Sequence, residues 1–132
     1  MTVTHLHHAS VPRPAGEAAD RTAVQFYSGV LGLEHIPKPS AFTDIEVTWF
    51  RAGDNEIHIY ALDPGDENPH SAAHFCLAVD DVEETKRLLE SSGHWCGDAA
   101  PIPGRPRFFT RDPFDNMIEI TELSGHRSTQ PA

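Results

Sequence analysis

The sequence predicts an α+β fold of two tandem βαβββ modules forming a curved mixed sheet around a central cleft. Three observations lead there. Short alternating apolar stretches are interrupted by just two helical ones. Their order runs strand, helix, strand, strand, strand and then repeats. The two halves also echo each other at both ends: "DNEIHIYAL" (54–62) lies over "DNMIEITEL" (115–123) at an offset of 61 residues, and "HHASV" over "HFCLA" at an offset of 66. The first half is longer, most simply in its loop and helix, where "PRPAGEAA" has no counterpart.

The first strand is expected over "HLHHASVP", His5 to Pro12, ended by Pro12 and Pro14. In "GEAADRTAVQFYSGVLGL", Ala23, Val24, Tyr27, Val30 and Leu31 recur at helical spacing, and Gly32 is placed to stop a helix of about four turns. "EHIPKPSAF" reads as a short strand running into a loop. "IEVTWFRAG" and "EIHIYAL" form a hairpin about Gly53, Asp54 and Asn55. "LDPGDENPHSAA" is turn-rich and separates the halves.

After it, "HFCLAV" is a strand. Asp80 with Glu83, or Asp81 with Glu84, offers a capping pair for a helix carrying Val82, Leu88 and Leu89 on one face and closed by Gly93. "HWCGDAAPIPGRP" supplies a short strand and a loop, "RFFTRD" a strand, and "DNMIEITEL" the last one. The expected organisation is a single domain over 1–126, with module one at about 5–62 and module two at about 73–123. A frayed polar tail follows at 127–132.

Composition narrows the function. In 132 residues, 20 Asp and Glu face 10 Lys and Arg, a formal charge of -10 that repels phosphate backbones and anionic membrane surfaces. Nucleic acid and membrane are therefore not expected partners, and no apolar run approaches the roughly 20 residues of a membrane helix. The absence of a secretory pattern makes the cytoplasm the expected compartment. Cys76 and Cys96 are the only cysteines, and both are read as reduced thiols. Nine histidines are many for this length.

Strand parity then sorts the polar candidates. Ile57 and Ile59 oppose Glu56, His58 and Tyr60; Ile118 and Ile120 oppose Met117, Glu119 and Thr121; Phe75, Leu77 and Val79 oppose His74, Cys76 and Ala78. The apolar sets suit a face covered by helices. If the halves pair, His8, His58, His74 and Glu119 line the uncovered cleft, a nitrogen and oxygen set suited to a divalent transition ion. A single strand histidine is more often a hydrogen-bonded or part-exposed residue than a ligand, and His5 and His7 compete with His8 for that role. What lifts the four together is the repeat. Trp49, Phe50, Arg107 and Phe108 are further pocket candidates, although their simplest reading is core packing for the aromatics and a solvated face for Arg107. Tyr60 shares the parity of His58 and suits the cleft better.

"HHAS", "VQFYSGVLGLE", "HFCLAVDDVE" and "RDPFDNMIEITEL" resemble the vicinal oxygen chelate superfamily, over about residues 5–123. It includes glyoxalase I, methylmalonyl-CoA epimerases, fosfomycin-resistance transferases, extradiol dioxygenases and the metal-free bleomycin-binding proteins. The resemblance implies paired βαβββ modules and a metal held from the first and last strands of each, with His8, His74 and Glu119 matching three ligand places. His58 stands where glyoxalase I usually has glutamate. It is either a fourth ligand or, as beside the His, His, Glu set of extradiol enzymes, a residue that hydrogen-bonds substrate.

The implied activity is that of a metal-dependent lyase, isomerase or dioxygenase acting on a small molecule that chelates the ion through vicinal oxygens, with Glu119 as candidate base. Zn, Ni, Mn, Co and Fe all suit the ligands. A homodimer is expected because such modules commonly pair or swap across chains. The competing expectations are a non-catalytic protein that sequesters a drug or metabolite, and a structural paralogue whose histidines are remnants.

Overall fold

In the computed structural model, which describes residues 1–69 and 71–122, the strands and helices follow the expected order. The chain divides into two compact units whose boundary falls between Pro69 and His70, inside the turn-rich linker. His70, Leu123 at the end of the expected last strand, and the expected tail at 127–132 lie outside the described residues.

The first unit contains β1 (His8–Arg13), α1 (Glu17–Val24), β2 (Glu34–Ile36), β3 (Val47–Ala52) and β4 (Asn55–Ala61). Its four-stranded sheet is ordered β1-β4-β3-β2, with β1 and β4 parallel and the other pairs antiparallel. β4 begins at Asn55, so residues before His7 have no ladder to join, and β1 starts three residues later than expected. Pro12 lies inside β1 rather than ending it. That is tolerated because β1 is the outer strand of this sheet, where a missing N–H costs no ladder bond on its open side. The β3–β4 turn is Gly53 and Asp54, since Asn55 already pairs with Ala52; Gly53 supplies the positive φ of 62°.

The expected four-turn helix is α-helical only to Val24. Gln25–Val30 continues as a π-helix, shown by the bond from Leu31 N–H to the Phe26 carbonyl, before Gly32 ends it at φ 77°. The wider turn lets two neighbouring aromatics, Phe26 and Tyr27, both be buried, with rings 5.0 Å apart at 85°. They form the core with Ala23, Ile36, Phe50, Ile57 and Ile59, each side chain contributing roughly 1.5–3 kcal/mol where burial is complete. Arg13 is buried too. Its Nε donates to Thr48 Oγ1 at 3.2 Å, its Nη1 donates to the Pro14 carbonyl at 2.8 Å, and Asp20 and Glu46 pair with the guanidinium.

The second unit repeats the plan with β5 (His74–Val79), α2 (Val82–Ser91), β6 (Cys96–Asp98), β7 (Arg107–Arg111) and β8 (Met117–Glu122), ordered β5-β8-β7-β6. Of the two capping pairs, Asp81 is the one used, accepting from Glu84 N–H at 3.0 Å. Val82 and Leu89 are buried against Phe108, Ile118 and Ile120. Leu88, expected on the same face, is 46% exposed, because seven residues return a helix to one line and the sixth falls about 100° off it. Gly93 closes the helix at φ 87°. The "DPFDN" turn is held by Asp112, whose carboxylate accepts from Phe114 N–H, Asn116 N–H and Asn116 Nδ2 at 2.8 to 2.9 Å.

Two four-stranded mixed sheets with a helix each make the fold α+β with tandem βαβββ modules, as expected. The internal repeat is exact in register: His8 pairs with Glu56 as His74 pairs with Met117, and Ser10 with His58 as Cys76 with Glu119.

Candidate functional site

Glu119 sits on β8, the strand flanked by β5 and β7, opposite Cys76 on one side and Phe109 on the other. It is 5% exposed. Burial alone would penalise its charge, yet three groups outweigh that penalty. His74 Nε2 is 3.1 Å from Oε1, and Arg105 Nη2 and Arg107 Nη1 are each 3.3 Å from Oε2. The net effect is a carboxyl held below its ordinary range. His74 Nδ1 lies 2.9 Å from the Ala72 carbonyl; as that carbonyl and the Glu119 carboxylate are both acceptors, the ring donates to both only when it carries both protons, and the Nδ1–H tautomer leaves Nε2 a lone pair.

Phe109 packs edge-on to His74 at 5.0 Å and lies under the Arg107 guanidinium at 5.7 Å. Cys76 is solvent-exposed, yet the protein packed about its sulfur, with the Glu119 charge second, pushes the thiol up to about 11, so it stays protonated at neutral pH.

His58 holds the corresponding place in the first unit, on β4 between β1 and β3. Its ring is stacked on His8 at 4.2 Å and 24°, and on Trp49 at 3.8 Å and 6°. Nε2 is 2.9 Å from Glu56 Oε1. Burial lowers the His58 pKa more than the Glu56 hydrogen bond restores it, and the neighbouring His8 and His7 add to the lowering. The shift favours the neutral imidazole, the state a metal ligand requires. His8 Nδ1 is in turn 3.0 Å from His7 Nδ1. Trp49 Nε1 is buried without a partner among the described residues.

Comparison with known proteins decides the family. A family model described as the glyoxalase/bleomycin resistance protein/dioxygenase superfamily matches residues 6–120. A crystal structure of a glyoxalase family protein from Bacillus anthracis is 33% identical, covers 92% of this chain and 97% of its own, and superposes with a TM-score of 0.83. The chain belongs to the glyoxalase/bleomycin resistance protein/dioxygenase superfamily. Two more distant structures show the same fold. The fosfomycin resistance protein FosX from Listeria monocytogenes is 15% identical, with 92% of each chain covered and a TM-score of 0.67. TnmS3, an antibiotic binding protein from Streptomyces sp. CB03234, is 19% identical, with 92% and 98% covered and a TM-score of 0.68. No curated protein matches the sequence.

For this superfamily member, the expected site residues fall into two local pairs. His8 and His58 are in contact in the first unit, with Trp49 completing the stack, and His74 and Glu119 are in contact in the second. Among the described residues, no group of three or more His, Cys, Asp or Glu side chains stands as a set that could hold a metal ion. Tyr60 shares the His58 face by parity but is 39% exposed, and its side chain makes no hydrogen bond or ring contact with any described residue.

Arg107 does not occupy the solvated face that was its simplest reading: its side chain is 15% exposed and folded onto Glu119. Phe50 and Phe108 are core residues at 0% and 4% exposure, as the simplest reading held. Trp49 instead faces His58. Glu56, Phe109 and Arg105 were not singled out. The first two share strand parity with His58 and Arg107, which is a usable signal. Arg105 lies in an irregular loop that carries none.

Proposed function

We propose that the chain is a divalent-metal-dependent enzyme of the lyase, isomerase or dioxygenase type, acting on a small molecule with vicinal oxygens. The observation that supports it is the pair His74 Nε2 and Glu119 Oε1 at 3.1 Å, with the far side of the imidazole fixed on a backbone carbonyl. Two ligands of one octahedral ion at about 2.0–2.2 Å would stand about 3 Å apart, so the separation of the pair matches that of two neighbouring ligands of one ion.

In this reading His74 and Glu119 hold the ion, and His8 and His58 are the candidates for the remaining places, donated by the same chain or by a second copy in a homodimer. Bound there, a divalent ion supplies Lewis acidity toward adjacent substrate oxygens. The chain's own residues orient and move protons. Ala72 fixes the His74 tautomer, Glu56 and the Trp49 stack fix the His58 ring, and Glu119 is the carboxylate able to accept a substrate proton. Trp49, Tyr60 and Arg107 are the proposed substrate contacts.

A second reading, a binder of a drug or metabolite without chemistry, draws on a different observation. Arg105 and Arg107 already neutralise Glu119 without a metal, and the Trp49–His58–His8 stack offers an aromatic platform. Elemental analysis of protein purified without a nickel column separates the two. About one metal per chain, lost in His74→Ala and in Glu119→Ala, is expected for the enzyme. Metal-free protein that binds aromatic ligands would replace that reading with sequestration.

A further inference from the structure

The second unit contains a cavity of about 260 Å³ where the first turn of α2, β6 and the loop before β7 meet. Lys86, Arg105 and Arg107 line it, against Glu83 and Asp98. This is an unusual concentration of cations for a chain of net charge -10. Glu119, outside the lining, shares its one charge between Arg105 and Arg107, and the lining carboxylates hold the cations only loosely: the Asp98 side chain is 99% exposed and stands 3.9 Å from Lys86 Nζ, too far for a hydrogen bond, and Glu83 is exposed.

The guanidiniums have unused donors. Among the described residues, the Arg105 guanidinium commits only Nη2, to Glu119. Arg107 commits Nη1 to Glu119 and Nη2 to the Ala100 carbonyl at 2.8 Å, and its Nε, without a partner among the described residues, is buried, so the donors an anion can reach are those of Arg105. Planar donor forks with free N–H groups in a recess are the recognition chemistry of oxyanions. The larger cavity of the first unit, about 470 Å³, is unlike it, since the Nε and Nη1 of its Arg13 are hydrogen-bonded to Thr48 and the Pro14 carbonyl and the guanidinium is ion-paired with Glu46 and Asp20.

We propose that this cavity is an oxyanion subsite, in which Arg105 and Lys86, backed by Arg107, bind a carboxylate or phosphate group of the substrate. At about 260 Å³ it falls just short of the roughly 300–1,000 Å³ of whole-ligand pockets, which suits a head group and not a complete molecule. Arg105 and Arg107 line the cavity and also pair with Glu119, so the same two side chains touch both the subsite and the His74–Glu119 pair. The proposal deepens the enzyme reading by naming its substrate class as anionic, and it rests on that reading only for the identity of the bound molecule as substrate.

The test uses the full chain stripped of metal with a chelator, titrated separately with acetate and with inorganic phosphate, and followed by NMR at the Arg105 and Arg107 Nε–H resonances. Saturable shifts at both arginines are expected from at least one anion, and the stronger of the two tells carboxylate from phosphate. Arg105→Ala should weaken that binding at least tenfold, Arg105→Lys by less, and Lys86→Ala severalfold, all with an unchanged far-ultraviolet circular dichroism spectrum. Absence of saturable shifts with either anion at tens of millimolar overturns the proposal, as does binding that survives Arg105→Ala. Metal binding is titrated on the same variants in a separate experiment. Anion binding without metal binding would leave the subsite standing and sink the metal-dependent mechanism, and the reverse would do the opposite.

Discussion

Replacing Glu119 with Gln keeps the side-chain shape and one acceptor oxygen but removes the charge that His74, Arg105 and Arg107 surround. Breaking a buried ion pair from one side costs about 3–5 kcal/mol because the partner charge stays buried. Here the partners are only partly so, at 15% exposure for Arg107 and 40% for Arg105, so water takes over part of the lost interaction. The loss should therefore be about 1–3 kcal/mol at pH 7 in metal-free protein.

The pH dependence follows from the same contacts. The folded chain holds the Glu119 carboxyl below its ordinary value of 4.5, so the folded state favours the ionised form more than the unfolded state does. That stabilisation is complete above the ordinary value and fades as pH falls through the lowered one. Urea unfolding of both proteins at pH 7 and at successively more acid pH is the assay. The gap between them should be widest at neutral pH and close in acid. Equal stabilities at pH 7, or a gap that persists once Glu119 is protonated, would refute the electrostatic account of this centre.

His58 behaves with its own sign. Burial depresses its folded pKa below the ordinary 6.5, so protonation favours the unfolded chain, and stability present above 6.5 is lost as pH falls through the lowered value. In His58→Phe that part of the acid loss should be missing, which urea midpoints compared above and below pH 6.5 will show. Asp112→Ala removes three accepted hydrogen bonds at a buried turn and should cost about 2–4 kcal/mol in thermal or chemical unfolding. Cys76, with its thiol pushed from 9.0 to about 11, should react with iodoacetamide at neutral pH roughly a hundredfold more slowly than a free cysteine, read by mass spectrometry of the labelled peptide. Asp81→Ala should lower stability by about 1 kcal/mol through loss of the α2 cap.

Much of this was legible in the residue order. Alternation placed Ile57 and Ile59 opposite His58, and Ile118 and Ile120 opposite Glu119, because side chains on a strand can point only two ways. The two offsets, 66 and 61, are the same in the ladders of both sheets, so the duplication was readable as geometry and not just as similarity. The α+β class, the repeated element order and the superfamily all rest on such local, periodic signals.

Other features depended on contacts between residues far apart in the chain. Periodicity carries no sign of which way a long flexible side chain turns, so Arg107 read as a solvated residue and instead folds onto Glu119, where Arg105 joins it from an aperiodic loop. Helical spacing likewise could not reveal the π-helical Gln25–Val30 segment, since burying both Phe26 and Tyr27 is a demand of the sheet beneath them. By itself the sequence determined the fold, the faces and the pairs of residues that meet across neighbouring strands, because backbone geometry imposes those locally. Only the tertiary structure decided the electrostatic surroundings of each pair, because charge, burial and hydrogen bonding depend on every element packed around them.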